Sequence, residues 1–221
     1  MGTDRFDQAK VLDFLGSPSA YGTRVSNVQR IDTHASSVFL AGDRAYKLKR
    51  AVKYPFLDFS TQELRRHAAL NELAINRRTA PDLYLEVVPV NRGPHGGLSL
   101  RGAGEPVEWI LVMRRFDGER LFDRMAEEGR LRLDAMPRLA RSIAALHRGA
   151  DRMLSPEASV GALDAILRDN EEAFAGKQLG QTDETIAFVH RRSRAAFGAL
   201  VPLLSERALG GFVSHCHCDL H

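Results

Sequence analysis

The sequence predicts an α+β protein in which a β-rich first part is followed by a mainly helical second part. Up to about residue 113, short runs of β-branched and aromatic residues alternate with turn residues around a single helical stretch. After Asp117-Gly118, apolar residues recur at helical spacing. Because strands and helices are segregated along the chain, we expect two lobes, residues 1–113 and 114–221, and no series of βαβ units.

The first lobe begins with a predicted helix at residues 5–15, which ends at the turn-rich stretch "GSPSAYG". Strand-like texture follows from Val25 to Val52. Its clearest part is "SSVFLAGDRAYKLK", where two β-like runs flank Gly42-Asp43, so the pattern predicts a hairpin.

A helix with a recognisable start comes next. Ser60 and Glu63 in "STQE" have the spacing of a capping box, and Pro81 is expected to end the helix. Three further strands are predicted at "DLYLEVVPV", "GLSL" and "VEWILVM". In the second lobe, periodic apolar residues predict helices around residues 136–147 and 186–203.

Composition narrows the possible settings of the protein. Of the 221 residues, 44% are hydrophobic and 27% charged, as in ordinary soluble proteins, and we find no apolar run long enough for a membrane span and no signal-peptide core. The two cysteines, Cys216 and Cys218, are too close for a normal structural disulfide, which favours a cytoplasmic location. The net charge is +3, and the arginines are interleaved with acids, so a nucleic-acid partner is not expected.

The stretch "AGDRAYKLKR" carries the first candidate site. On a strand, Ala45, Lys47 and Lys49 share one face, where a small residue leaves room for a flat base and an ammonium group can reach phosphates. A surface strand with two solvated lysines is the alternative. Glu72, on the helix that follows, could pair with a strand lysine and hold it towards a phosphate.

The chain ends on "HCHCDLH", which has two interpretations. Its residue types are zinc ligands, but a tetrahedral site normally draws ligand pairs from two separated segments, and no second segment is evident. "HCDLH" also matches the start of the kinase catalytic-loop pattern His-Arg-Asp-Leu, with Asp219 at the position of the catalytic aspartate. We favour the catalytic-loop interpretation over a zinc-binding tail.

These stretches together resemble the aminoglycoside phosphotransferase-like kinases. The chain looks closest to the bacterial group whose kinase-like domain is often fused to a P-loop ATP-binding domain. The matching stretches run from about residue 30 to the end, and they are "THASSVFLAGDRAYKLKRAVKYPFLDFSTQELRRHAALNELAINRRTAPDLYLEVVPV", "EWILVMRRFDG" and "CHCDLH". The resemblance implies a protein-kinase-like two-lobed fold with a β-rich nucleotide-binding N-lobe and an incomplete helical C-lobe. It also implies ATP and Mg²⁺ as cofactors and a small-molecule hydroxyl as phosphate acceptor.

The resemblance also implies roles for individual residues. Lys47, favoured over Lys49 by its neighbour Ala45, would hold the α- and β-phosphates, with Glu72 as its salt-bridge partner. The loop that includes Ser36 and Ser37 would cover the phosphates, and Met113 would stand at the back of the adenine pocket. The backbones of Arg114 and Phe116 would form hydrogen bonds to the base. Asp219 would be the catalytic base, and His217 would support its loop.

Part of the kinase pattern is not present in the sequence. The metal-binding Asn stands five residues after the catalytic Asp in kinases, and a second metal-binding Asp comes later, so both positions fall beyond His221. We therefore expect a truncated kinase whose Mg²⁺ ligands lie past the chain end and which is inactive in this form. The alternative is a non-catalytic, pseudokinase-like module that binds a nucleotide or a partner.

Overall fold

The computed structural model describes residues 8–54, 56–174 and 182–216 of the chain, and its fold is α+β. The strands are β1 (Val28–Asp32), β2 (Ser36–Ala41), β3 (Arg44–Lys49), β4 (Lys53–Tyr54), β5 (Leu57–Asp58), β6 (Tyr84–Arg92), β7 (Leu98–Leu100) and β8 (Glu105–Arg114). The helices are α1 (Gln8–Gly16), α2 (Gln62–Asn76), α3 (Phe122–Glu127), α4 (Met136–Arg148), α5 (Pro156–Phe174) and α6 (Asp183–Leu209). The predicted arrangement, a β-rich part followed by a mainly helical part, is therefore confirmed within the described ranges, whereas β4, β5, α3 and α5 were not predicted individually.

The main sheet is antiparallel, and its strand order in the described part of the chain is β1-β2-β3-β8-β6-β7. The predicted hairpin joins β2 to β3 with Ala41 opposite Arg44, and Gly42 adopts a φ of 59° in the turn between them. Glycine adopts this left-handed region without a steric penalty. Strand β8 lies between β3 and β6, and its long apolar run suits this central position.

Side chains alternate along the strands, so the sheet has two faces, and each face packs against one helix. On one face, Phe39, Leu48 and Ile110 are fully buried in a cluster with Val11 and Leu15 of α1. On the other face, the buried cluster contains Ala45, Leu111 and Met113, with Leu73 of α2 packed against it. The lysine-bearing face of β3 is therefore the face that α2 covers.

Helix α2 begins one residue later than its sequence pattern predicts. Its N-cap is Thr61, whose Oγ1 accepts a hydrogen bond from the Leu64 N–H at 3.3 Å. The hydroxyl of Ser60 instead donates to Asp58 Oδ1 at 2.5 Å, outside the helix. The predicted capping box between Ser60 and Glu63 is therefore wrong, because the neighbouring carboxylate of Asp58 takes the Ser60 side chain.

A buried ion pair fixes the first turn of α2 to the sheet. Arg65 donates to Glu108 Oε2 on β8 from Nη2 at 2.7 Å and from Nε at 2.8 Å, and the two side chains are only 8% and 1% exposed. Gln8 of α1 donates to the same oxygen at 2.9 Å. Helices α1 and α2 thus meet at one buried carboxylate, which sets the position of α2 along the sheet.

The chain divides into two compact units, residues 1–142 and 143–221. The predicted division near residue 113 corresponds to the end of the sheet at Arg114, and the lobe assignment itself stays a prediction. In the second unit, α5 and α6 pack together, and Arg194 bridges Asp164 at 2.5 Å and Glu171 at 2.7 Å. Within the described residues, we find no helix that is long and apolar enough to cross a membrane.

Candidate functional site

The candidate site is a triad of two lysines and one glutamate on the face of the sheet that α2 covers. Lys47 Nζ on β3 lies 2.8 Å from Glu72 Oε1 on α2. Lys49 Nζ, two residues further along β3, contacts the other oxygen, Oε2. The structure therefore brings together the predicted Lys47–Glu72 pair and adds Lys49 to it.

The sequence places these three groups by two simple regularities. Residues two apart on a strand share a face, so both lysines of "KLK" point towards α2. On α2, Glu72 adjoins Leu73, which packs against the apolar cluster of this sheet face. The N-cap at Thr61 and the pair between Arg65 and Glu108 fix the start of the helix, so its later turns carry Glu72 to the lysines.

The triad is largely shielded from solvent and carries a net positive charge. The side chains of Glu72, Lys49 and Lys47 are 15%, 12% and 26% exposed. Burial acts to raise the pKa of Glu72, but Lys49 and Lys47 together outweigh it and hold that pKa below its usual range. Burial lowers the pKa of Lys49, and the Glu72 carboxylate opposes this effect. Two ammonium groups against one carboxylate leave a site that attracts an anion.

Apolar and small side chains continue the same face of the sheet. Ala45 lies opposite Met113 on β8, and Lys47 lies opposite Leu111. Ala45 and Met113 are 4% and 8% exposed, so both side chains are inside the cluster beside the triad. The structure therefore places Ala45 and Met113 next to each other, and their role in binding a base stays a prediction.

The two predicted serine ligands occupy different positions from those expected. Both lie within β2 and are buried, so neither belongs to the loop between β1 and β2. Ser36 pairs with Lys49 and shares its face, whereas Ser37 pairs with Leu48 and points to the opposite face. The loop itself is a tight turn in which the Ser36 N–H donates to Thr33 Oγ1 at 3.0 Å.

The segment after β8 was predicted to bind a base through its backbone. The Arg114 N–H already donates to Leu83 O at 2.8 Å. A base could therefore bind the Arg114 backbone only through its carbonyl, as an acceptor. The Arg115 N–H donates to Asp43 O at 2.8 Å, which ties this segment to the β2–β3 turn. Phe116 follows and is 51% exposed, so this residue as a whole is open to solvent.

The predicted catalytic residues His217 and Asp219 lie outside the described residues. The stretch just before them forms a single antiparallel bridge between Arg152 and Ser214, and the His215 N–H donates to Asp151 O at 2.9 Å. Among the residues that the structure describes, no group of three or more His, Cys, Asp or Glu side chains could hold a metal ion. Most of "HCHCDLH" falls outside those residues, so the catalytic loop and the zinc-binding tail both stay predictions.

Three residues of the site were not assigned from the sequence. Lys49 was placed on the correct face but not given Glu72 as a partner, although strand alternation and the reach of a carboxylate imply it. The Phe59 ring centroid lies 5.3 Å from Lys49 Nζ. Tyr84, opposite Met113, has its pKa raised by burial and by the Glu72 carboxylate. Tertiary packing places both aromatic rings, and no sequence spacing marks them.

Comparison with known proteins gives relatives without an assigned activity. Uncharacterized proteins from Mycobacterium bovis and from two strains of Mycobacterium tuberculosis are each 34% identical to this chain over 141 residues, which is 63% of this chain and 26% of each relative. The chain thus spans about a quarter of the length of the curated relatives it matches. No family model matches the chain. No solved structure matches it.

Proposed function

We propose that the sheet-bearing unit, residues 1–142, binds the phosphates of a nucleotide, and that the chain belongs to an ATP-dependent phosphotransferase of the aminoglycoside phosphotransferase-like type. The observation that carries the proposal is the 2.8 Å pair between Lys47 on the third strand and Glu72 on the helix that follows. In protein kinases, a lysine on the third strand must pair with a helix glutamate for phosphoryl transfer.

The donor set of the site suits a nucleotide. The triad supplies six ammonium N–H donors to one carboxylate, so donors remain for phosphate oxygens. On the same face, Ala45 adds little bulk beside Met113, which suits a flat base. Phe116 and the carbonyl of Arg114 supply polar backbone groups at the end of β8. The roles given to Asp219, His217 and Mg²⁺ are further predictions of the same proposal.

A binding titration tests the nucleotide part of the proposal. ATP, ADP, AMP and adenosine are titrated calorimetrically into the chain in the presence of Mg²⁺, and into a Lys47→Met variant. We expect ATP and ADP to bind the wild type, adenosine to bind far more weakly, and Lys47→Met to weaken ATP binding by a factor of about 10–100, as for a lost hydrogen bond to a charged group.

Lys53 offers a matched control for the loss of a lysine. Its side chain is 70% exposed and lies 2.8 Å from Asp58, away from Glu72. Lys53→Met should therefore leave ATP affinity unchanged. Equal ATP affinity in the wild type and Lys47→Met, with circular dichroism showing both folded, would exclude Lys47 as a phosphate ligand.

A second measurement separates transfer from binding. Because the Mg²⁺ ligands are predicted beyond His221, a longer form of the protein that extends past this residue is incubated with γ-labelled ATP, Mg²⁺ and a panel of small molecules that carry hydroxyl groups, and label transfer is followed. Transfer that is abolished by Asp219→Asn supports the phosphotransferase. ATP binding without transfer to any acceptor would instead support the non-catalytic nucleotide-binding module.

A further inference from the structure

Lys49 is the feature of the site that a single lysine–glutamate pair does not explain. It contacts Oε2 of Glu72, while Lys47 contacts Oε1. Of the two lysine side chains, Lys49 is the more buried, at 12% exposed against 26% for Lys47. One carboxylate therefore has a separate ammonium partner on each oxygen.

The surroundings of Lys49 hold it in place. Its ammonium lies 5.3 Å from the Phe59 ring centroid, a favourable cation–π distance. Its backbone carbonyl accepts a hydrogen bond from Gln8 Nε2 at 2.9 Å, and Gln8 also binds the buried Glu108. Lys49 is thus anchored at its backbone and at its ammonium group, and these contacts keep it on Glu72.

Lys47 has different neighbours. Its cross-strand partners are Val38 and Leu111, which are apolar, and within the described residues the only hydrogen bond of its side chain is the one to Glu72. Its side chain is the most exposed of the triad, so we take its ammonium as the one that a ligand reaches first. The two lysines, although both bound to Glu72, are therefore not equivalent.

From this asymmetry we infer a division of roles: Lys49 is a positioning residue that neutralises Glu72, so that the charge of Lys47 stays available for the phosphate of a bound anion. Without Lys49, Glu72 would cancel the charge of Lys47, and the site would be neutral. With Lys49 present, the triad keeps one positive charge beside its most accessible member. The inference rests on the proposed function for the identity of the anion, but the charge arrangement can be tested separately.

The test is a double-mutant cycle with ADP and inorganic pyrophosphate as probes, read by calorimetry on the full chain. Lys49→Met should weaken the binding of both probes about tenfold, the effect of one unit charge several ångströms away at a partly exposed site. Adding Glu72→Gln to Lys49→Met restores one net positive charge, so most of the lost affinity should return. Lys49→Arg, which keeps the charge, should bind like the wild type.

The opposite result of the cycle has a clear meaning. If Lys49 contacted the phosphate directly, Glu72→Gln would not restore binding in the Lys49→Met background, and the inference would be overturned. The same holds if Lys49→Met binds pyrophosphate as well as the wild type does. If the wild type binds pyrophosphate but binds ADP and ATP no more tightly than pyrophosphate, the division of roles stands and the proposed nucleotide specificity is refuted.

A probe-free measurement keeps the inference independent of the proposed function. NMR titration of the Glu72 side-chain carboxylate gives its pKa in the wild type, Lys47→Met and Lys49→Met. If Lys49 is the main neutralising partner, Lys49→Met should raise the pKa of Glu72 more than Lys47→Met does. A larger rise in Lys47→Met would overturn the inference, whether or not any nucleotide binds.

Discussion

The buried pair between Arg65 and Glu108 permits a quantitative test of how α2 is held against the sheet. Glu108 is 1% exposed, and it accepts hydrogen bonds from Arg65, from Gln8 Nε2 at 2.9 Å and from the Trp109 N–H at 3.0 Å. Arg65→Met would remove the only cation among these donors. The carboxylate would then be buried with two neutral donors, an arrangement with a large desolvation penalty.

Removing one partner of a buried ion pair typically costs about 3–5 kcal/mol. We expect a loss of this size for Arg65→Met, a large fraction of the roughly 5–15 kcal/mol that stabilises an ordinary domain. Replacing both partners, as in Arg65→Met with Glu108→Leu, removes the charge as well as its partner. The double variant should therefore recover most of the lost stability.

Trp109 provides the assay. It is the sole tryptophan of the sequence and adjoins Glu108 on β8, so its fluorescence reports on the sheet-bearing unit rather than on the whole chain. Urea unfolding followed by this signal gives the free energy of unfolding of each variant. Arg132→Met is the matched control, because the Arg132–Asp134 pair is exposed, at 81% and 64%. It should change stability by less than about 0.5 kcal/mol.

Two results would refute the reasoning. The first is a loss of under about 1 kcal/mol for Arg65→Met, which would mean that Glu108 finds another partner or is solvated. The second is a double variant no more stable than Arg65→Met, which would show that the pair does more than neutralise a buried charge.

Three further predictions concern single groups. The pKa of Glu72 is lower in the folded than in the unfolded state, so the stability that this carboxylate contributes is present above the unfolded pKa and is lost as the pH falls through the folded pKa. In Glu72→Gln, the free energy of unfolding should therefore depend less on pH over this acid range than in the wild type. Thr61→Ala should lower the free energy of unfolding by about 1 kcal/mol, because it removes the cap of α2. It should also speed hydrogen exchange of the Leu64 amide in NMR, whereas Ser60→Ala should leave the exchange of that amide unchanged. Burial raises the pKa of Tyr21, so the stability that depends on its phenolic proton is present below the unfolded pKa and is lost as the pH rises through the folded pKa. Urea unfolding at pH 8–12 should therefore show a smaller alkaline decrease in the free energy of unfolding for Tyr21→Phe than for the wild type.

The sequence predicted the hairpin and the lysine face because both depend on local rules. Gly42-Asp43 between two β-like runs gives the turn, and alternation gives a common side for Ala45, Lys47 and Lys49. It also indicated Glu72 as a partner for a strand lysine, which the structure confirms at 2.8 Å.

Sequence patterns were not sufficient where another group competes for the same side chain. The capping pattern at Ser60 is valid by spacing, but the Asp58 carboxylate binds that hydroxyl and Thr61 caps the helix instead. The resemblance assigned Ser37 to a phosphate-covering loop, but this residue pairs with β1 and β3 as part of β2 and points away from the lysine face.

The sequence by itself thus determined the β2–β3 hairpin, the presence of α2 and which side chains of β3 share a face, because these follow from the local spacing of residues. Only the tertiary structure decided that Lys49 and Lys47 share one glutamate, since that contact needs α2 at one position along the sheet. A buried pair 43 residues apart, Arg65 and Glu108, sets this position. Such long-range contacts depend on how separate elements pack, and no local pattern encodes them.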